Sequence, residues 1–346
     1  MKIKIINIYL FIELFNLNIY SLFVIQCHFN LSVVSSYPDQ EKLINKIIFK
    51  GKLYKGLYLS EYNMPKSKTK QTIEDKYQKK TQHEHILTVP GMWIGSVKMH
   101  KDKMWVFDDE TNKIVKKEII YNPGLYKIYD EILVNAIDQT VREKKCNEIR
   151  VTIDQKKGKI TVKNNGPGID VIKHKEHKIY IPEMIFGHLL TSTNYDDDKR
   201  VVGGVNGLGA KACNIYSSEF IIETVDSKRN LKYYQKFSNN MYKKSKPKIE
   251  DSTSKSYVEI SFIPDYKRFG YDELTDDMLS LMKKRVYDIA ACSGKKVKVF
   301  YNEKDITMKS FNEYISLFFD LEELPALPIY EEPHKRWKVG IVYLPD

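Results

Sequence analysis

From Leu125 to Ile137 apolar residues recur at helical spacing, and the opposite face carries four polar groups in register. Leu125, Ile128, Tyr129, Ile132, Leu133, Ala136 and Ile137 form one stripe, which has to lie on a core. Glu131, Asn135, Asp138 and Arg142, spaced four, three and four apart, form the other, so they share one side of the helix that Pro123-Gly124 opens. Strand patterns surround it. Glu148–Ile153 and Lys159–Lys163 alternate as strands around a turn at Gly158, and Phe220–Val225, Leu231–Phe237, Tyr257–Phe262 and Val297–Tyr301 continue the pattern. Asp276–Ala291 reads as a second long helix, Lys103–Asp108 and Lys113–Ile120 as a strand pair, and Thr72–Leu87 as a short polar helix closed by Pro90-Gly91. Lys243–Lys248 reads as a solvated loop, and no internal repeat is present. The expected class is α+β.

With 346 residues, 42% hydrophobic and 29% charged, the chain has material for two folded units. A net charge of +11 favours a polyanionic partner, nucleic acid first and an acidic membrane second. Cys27, Cys146, Cys213 and Cys292 form no CxxC pair, which argues for a reducing compartment and against a zinc site. The beginning of the chain differs. Lys2 and Lys4 precede an apolar stretch, and no charged residue occurs from Leu14 to Pro38. That stretch reads as a targeting segment or membrane anchor, or as translated upstream sequence of an AT-rich gene, with Met64 opening a basic tail. Glu13, Asn16, Asn18 and Gln26 make it a poor spanning helix.

Three polar segments carry chemistry. On the long helix, Glu131 can take a proton from an attacking water, Asn135 can offer its amide oxygen to a magnesium ion, and Arg142 can reach a phosphate. In Asn164-Asn165-Gly166-Pro167-Gly168, which must turn sharply after a strand, Asn164 has the donor and acceptor geometry to read adenine. In Val201–Lys211, Gly203, Gly204, Gly207 and Gly209 let the backbone approach phosphates, residues from Ala210 onward can be helical, and Lys211 adds a charge. No GK[ST] and no dinucleotide fingerprint occur. Hydroxyls and an amide in Leu190–Tyr195 suit ribose and phosphate, and Asp196-Asp197-Asp198 suits a solvated lid. Together these describe a site for ATP and Mg2+ that is not a P-loop. His174 and His177 form an HxxH among Lys173, Lys175 and Lys178 without a third ligand, so zinc is not expected. Gln82-His83-Glu84-His85 is similar to the phosphoacceptor box of sensor histidine kinases, which supplies a second reading with phosphate on His83.

Beyond these segments the chain resembles the eukaryotic type II DNA topoisomerases. The residues that carry the resemblance are YQKKTQHEHILTVPGMWIGSV (Tyr77–Val97), NPGLYKIYDEILVNAIDQ (Asn122–Gln139), LLTSTNYDDD (Leu189–Asp198) and GGVNGLGAKACNIYS (Gly203–Ser217). The resemblance implies a GHKL (Bergerat) two-layer α/β sandwich followed by the start of a transducer (ribosomal-protein-like) domain. It implies four segments: an N-terminal extension over 1–63, a basic tail and arm over 64–80, the ATPase domain over 81–308 and an incomplete transducer over 309–346. It implies Glu131 as the catalytic base and Asn135 as the magnesium ligand. The nucleotide contacts it implies are Tyr77 (toward the partner subunit), Asp138, Arg142, Asn164, Ser192, Thr193, Asn194, and Gly204, Val205, Asn206, Gly207, Leu208, Gly209, Ala210 and Lys211. A homodimer closing on double-stranded DNA in the nucleus follows, with no membrane partner; another ATPase of the same superfamily, a chaperone or mismatch-repair protein, is the neighbouring alternative. Pro167 stands where the family often has lysine, and Val205 and Leu208 replace commoner Arg and Tyr types. The transducer lysine that senses the γ-phosphate falls beyond Asp346, as do the metal domain and the DNA-cleaving tyrosine. The chain is therefore expected to bind ATP, to hydrolyse it poorly and not to cleave DNA.

Overall fold

Along the strands of the main sheet, burial alternates residue by residue, and this alternation divides the molecule into layers. The computed structural model describes residues 5–14, 22–30, 73, 77–189, 207–293, 296–334 and 337–344. In chain order the elements are β1 (Ile5–Leu14), β2 (Leu22–Asn30), α1 (Gln82–Thr88), β3 (His100–Asp108), β4 (Lys113–Tyr121), α2 (Pro123–Arg142), β5 (Glu148–Asp154), β6 (Lys159–Asn164), α3 (Ile181–Gly187) and α4 (Gly209–Ile215). They continue with β7 (Ser217–Asp226), β8 (Leu231–Ser238), β9 (Lys243–Lys244), β10 (Lys248–Asp251), β11 (Tyr257–Pro264), α5 (Asp276–Cys292), β12 (Lys298–Tyr301), β13 (Lys304–Asp305), α6 (Phe311–Ile315), β14 (Ile329–His334) and β15 (Trp337–Leu344).

The main sheet runs β10-β8-β7-β11-β6-β5-β12-β13, with β9 added to β8. Its neighbours are antiparallel except β12 and β5. Ile149, Val151 and Ile153 of β5, Ile160 and Val162 of β6, Phe220 and Ile222 of β7, and Ile260 and Phe262 of β11 are buried in one core with the apolar stripe of α2 and with Met278, Met282, Val286 and Ile289 of α5, as the two-residue period of a half-covered sheet demands. The intervening positions carry cross-strand ion pairs: Lys163 with Glu259 at 3.1 Å, Lys232 with Glu223 at 3.0 Å and Lys236 with Glu219 at 2.5 Å. Helices on one face and charge on the other make the expected two-layer sandwich.

The start of α2 is pinned. The Asn122 side chain accepts the Leu125 N–H at 3.1 Å, and its amide donates to Val97 O at 2.7 Å and Phe269 O at 2.9 Å. Pro123 takes a position where no N–H is missed. Gly124 is packed so closely on Ser96 and Ile94 that a Cβ would lie 3.0 Å from the Ser96 carbonyl oxygen.

Two expectations need correction. The polar helix read over Thr72–Leu87 is not continuous: Ile73 is helical, residues 77–81 are not, and a helix starts afresh at Gln82–Thr88, capped reciprocally by Thr81 and Glu84, with Glu84 N–H to Thr81 Oγ1 at 3.2 Å and Thr81 N–H to Glu84 Oε2 at 2.8 Å; Thr72 and residues 74–76 lie outside the described residues. The loop read over Lys243–Lys248 contributes two short edge pairings, β9 with β8 and the start of β10 with β8. Past Lys309, β14 and β15 pair with each other, and both join β1 and β2 in a sheet of order β14-β15-β1-β2. Phe311, Tyr314, Ile315 and Val342 belong to the same buried cluster as the main sheet. Residues 5–14 and 22–30, from the stretch read as a targeting segment, a membrane anchor or translated upstream sequence, are extended: Asn7 pairs with Leu344 and Glu13 with Lys338. Among the described residues no helix is long and apolar enough to cross a membrane.

Candidate nucleotide site

The polar face of α2 meets the start of α4, and the contact between them is tight. A Cβ built on Gly209 would fall 1.7 Å from Oε2 of Glu131. Only glycine fits there, and its absent side chain brings the end of the glycine-rich segment onto the carboxylate. Glu131 is also paired with Lys127, one turn earlier on α2, at 2.5 Å. Asn135, one turn later, is exposed. Glu131 and Asn135 therefore share one face beside the glycine backbone, as their spacing requires.

Gly207 has φ +58, which bends the chain into α4. Lys211, 1% exposed, donates through Nζ to Gly207 O. Burial lowers its pKa from 10.5 to about 8, so this ammonium is held in a setting that favours loss of its proton unless an anion arrives. Asn214 of α4 donates to Phe186 O of α3 at 3.0 Å, fixing the far end of the short helix.

The turn after β6 is built as a unit. Asn164, 8% exposed, accepts the Gly166 N–H at 3.0 Å and the Cys146 thiol at 3.6 Å on its side-chain oxygen. Burial first, and then Glu143, push the Cys146 thiol up to about 11, which keeps it a neutral donor. Gly168 has φ +79, and a Cβ there would lie 2.0 Å from Val225 O. The next residues are tied to β7: Ile169 N–H to Thr224 Oγ1 at 3.0 Å and Val171 N–H to Asp226 Oδ2 at 2.9 Å. Arg229 bridges Asp170 and Asp226 at 2.5 and 2.6 Å. Gly166 faces α2, where a Cβ would come 3.1 Å from Cγ of Gln139; this contact brings the turn and the helix together.

The residues expected at the site are thus distributed unevenly. Glu131 and Gly209 meet, with Asn135 on the same face of α2, Leu208 and Ala210 flanking Gly209, and Lys211 folded back onto Gly207. Asn164 sits at the turn beside Gln139. Asp138 is 2% exposed, buried rather than presented to solvent. Arg142 is the last residue of α2 and exposed; at 1.5 Å per residue it stands about 16 Å along the axis from Glu131. Tyr77 is 71% exposed on the arm before α1. Ser192, Thr193, Asn194, Gly204, Val205 and Asn206, and the Asp196–Asp198 run, lie outside the described residues. Lys127 and Cys146 were not anticipated. The signal for Lys127 was present, four residues before Glu131 on the same face.

Both histidine motifs resolve differently. His83 is half-buried, stacked on Tyr242 at 4.2 Å, with Nε2 2.7 Å from Asn240 O; burial lowers its pKa. A ring committed to a carbonyl and an aromatic face is a packing residue, not an open phosphoacceptor. His174 and His177 do gain a third donor: Glu176 brings its ligand atom within 4.8 Å of theirs. However, His174 Nδ1 accepts the N–H groups of Glu176 and His177, both at 3.3 Å. That nitrogen is therefore engaged in holding its own turn.

Residues 121–240 match the family model described as histidine kinase-, DNA gyrase B-, and HSP90-like ATPase, which makes this a nucleotide-binding fold. The chain is 51% identical over 284 residues to DNA topoisomerase 2 of Acanthamoeba polyphaga mimivirus, covering 81% of this chain and 22% of that protein. It is 49% identical over 277 residues to DNA topoisomerase 2 of Arabidopsis thaliana, covering 78% and 19%. It spans about a fifth of the length of these relatives. Among solved structures, the ATPase region of Saccharomyces cerevisiae topoisomerase II superposes with a TM-score of 0.74 at 46% identity, over 78% of this chain and 71% of that one. The ATPase and transducer domains of DNA topoisomerase II from Balamuthia mandrillaris give 0.73 at 40% identity, over 78% and 69%. The sandwich, the Glu131 face closed against Gly209 and these likenesses agree: the chain belongs to the type II DNA topoisomerase family and carries that family's GHKL ATPase fold.

Proposed function

We propose that the chain is the ATP-binding and ATP-hydrolysing gate of a type II DNA topoisomerase acting in the nucleus, in which nucleotide binding draws two copies together around a DNA duplex. The observation that carries this reading is the approach of Gly209 to Glu131, with the missing Cβ of the one leaving room for the carboxylate of the other. A phosphate chain lying along the backbone of Gly204 to Lys211 would end beside that carboxylate. Glu131 takes the proton of a water aimed at the terminal phosphorus. Lys211, buried and poised near neutrality, holds phosphate charge. Asn164 presents its amide edge to adenine, and Ser192, Thr193 and Asn194 take the ribose and phosphates. Tyr77, exposed on the arm, reaches the partner copy's nucleotide.

Asn135 suits a magnesium ion: its amide is exposed, makes no hydrogen bond to the described residues and offers a neutral oxygen of the kind this cation takes. When bound, magnesium would neutralise phosphate oxygens. The net charge of +11 suits a DNA partner.

The test is binding of a non-hydrolysable ATP analogue, with mass measured by light scattering. The wild-type chain is expected to bind and dimerise, Asn135→Ala to lose both, and Glu131→Gln to bind and dimerise without hydrolysing ATP. A wild-type chain that neither binds nor dimerises sinks the proposal.

A further inference from the structure

Five side chains outside the candidate site meet where α2, α5 and α6 come together. Arg285 Nε donates to Asp130 Oδ1 at 2.7 Å, and its Nη1 stands 3.8 Å from Asp288 Oδ2. Lys284 Nζ donates to that same Asp288 oxygen at 2.8 Å. The Tyr314 hydroxyl donates to Asp288 Oδ1 at 2.7 Å. Arg285 is 5% exposed, Asp288 3% and Tyr314 0%. Burial opposes the charge on Arg285, but Asp130, Tyr126 and Asp288 outweigh it and hold the guanidinium charged. The set contains two cations and two carboxylates, so it is neutral as a whole.

A buried ionic set of this kind is a poor source of stability, since apolar side chains of similar volume serve as well or better. What it does supply is registry, because each partner has one place to go. Its two ends are informative. Asp130 immediately precedes Glu131 on α2. Tyr314 immediately precedes Ile315, whose Cδ1 lies so close to Gly340 of β15 that a Cβ there would come within 2.5 Å. A packed path therefore runs from the helix carrying the carboxylate, through α5 and α6, to the sheet formed by β14 and β15. Coupling between distant sites needs such a contiguous element.

We infer that Asp130, Arg285, Asp288 and Tyr314 form a relay that positions Glu131 and couples it to the sheet of β14 and β15, with Arg285 as the positioning residue. The inference rests on the reading of Glu131 as the base. Tyr314→Phe cuts the relay most gently, removing one hydroxyl from a buried ring.

The experiment uses the whole 346-residue chain and three readouts: analogue affinity, the kcat and KM of ATP hydrolysis, and hydrogen exchange of the amides over 127–135. Tyr314→Phe is expected to lower kcat about three- to tenfold, leave analogue affinity within about twofold, and speed exchange in α2. Arg285→Lys should retain most of the kcat that Arg285→Met loses. If Tyr314→Phe leaves kcat and α2 exchange at wild-type levels, or quickens exchange only in α5 and α6, the relay is overturned. Where turnover of the wild-type chain is too slow to measure, α2 exchange decides alone. Failure of the underlying reading looks different: Glu131→Gln would hydrolyse ATP like wild type while Tyr314→Phe still loosened α2.

Discussion

Lys127 Nζ lies 2.5 Å from Oε1 of Glu131, one turn upstream on α2. The pair is partly exposed, 48% and 27% at the two side chains, so its worth to folding is under about 1 kcal/mol. If Glu131 is the base as proposed, the pair's worth to the reaction lies in aim, since it holds one carboxylate oxygen while the other points toward Gly209. Lys127→Met should change the melting temperature by no more than about 2 °C and reduce ATP turnover several-fold. Calorimetry beside a coupled ATPase assay checks both; an unchanged rate would remove Lys127 from the site.

Gly209→Ala places a methyl group where Glu131 already is. Overpacking of that kind costs about 1–3 kcal/mol, and relief requires the carboxylate to swing away. Analogue binding and hydrolysis should both fall. Adding Glu131→Ala to the same chain should restore most of the stability and none of the hydrolysis, a non-additivity that chemical denaturation of the four variants would measure.

The Lys211 ammonium has a folded pKa lowered by burial from 10.5 to about 8. Between those values the unfolded chain binds the proton that the folded chain has released, so stability should rise with pH across that window. Analogue affinity should move the other way, weakening as pH climbs through about 8, because the neutral amine no longer attracts phosphate. Titration calorimetry at several pH values tests the opposition of the two trends. In Lys211→Met the affinity should be low throughout and its pH dependence in this window should vanish.

Gly168 combines φ +79 with a backbone oxygen 2.0 Å from any Cβ. Gly168→Ala should destabilise the chain by about 2–5 kcal/mol, a left-handed backbone penalty added to a steric one. Denaturant unfolding gives the number; a loss below about 0.5 kcal/mol would mean the turn relaxes without cost.

The sandwich was legible because its signals are local. The α2 stripe, the alternation of β5 through β8 and the Pro123 and Gly158 punctuation each depend on near neighbours in sequence. The shared face of Glu131 and Asn135 was legible for the same reason, since one turn of helix separates them. What escaped depends on contacts across the chain. Thr72–Leu87 has polar helical character, but residues 77–81 are not helical and the Thr81–Glu84 box starts a new helix at Gln82. Lys284, Arg285 and Asp288 look like an ordinary solvated face of α5, because nothing nearby in sequence shows Asp130 waiting for them. Glu176 was overlooked as a third donor beside His174 and His177, since only the folded turn brings it round. Strand β14 was missed because Pro333 and a run of acidic residues conceal its pairing with β15.

The single parallel pairing of the main sheet, β12 on β5, has a consequence for how the protein is made. Val299 lies beside Ile149, and Arg285 meets Asp130 across 155 residues. Helix α2 therefore leaves the ribosome well before the helix and strand that hold it in register. Until α5 has been made, the α2 stripe has an incomplete seat and Asp130 has no guanidinium, so the stripe stays partly uncovered over the interval that separates the two helices in sequence.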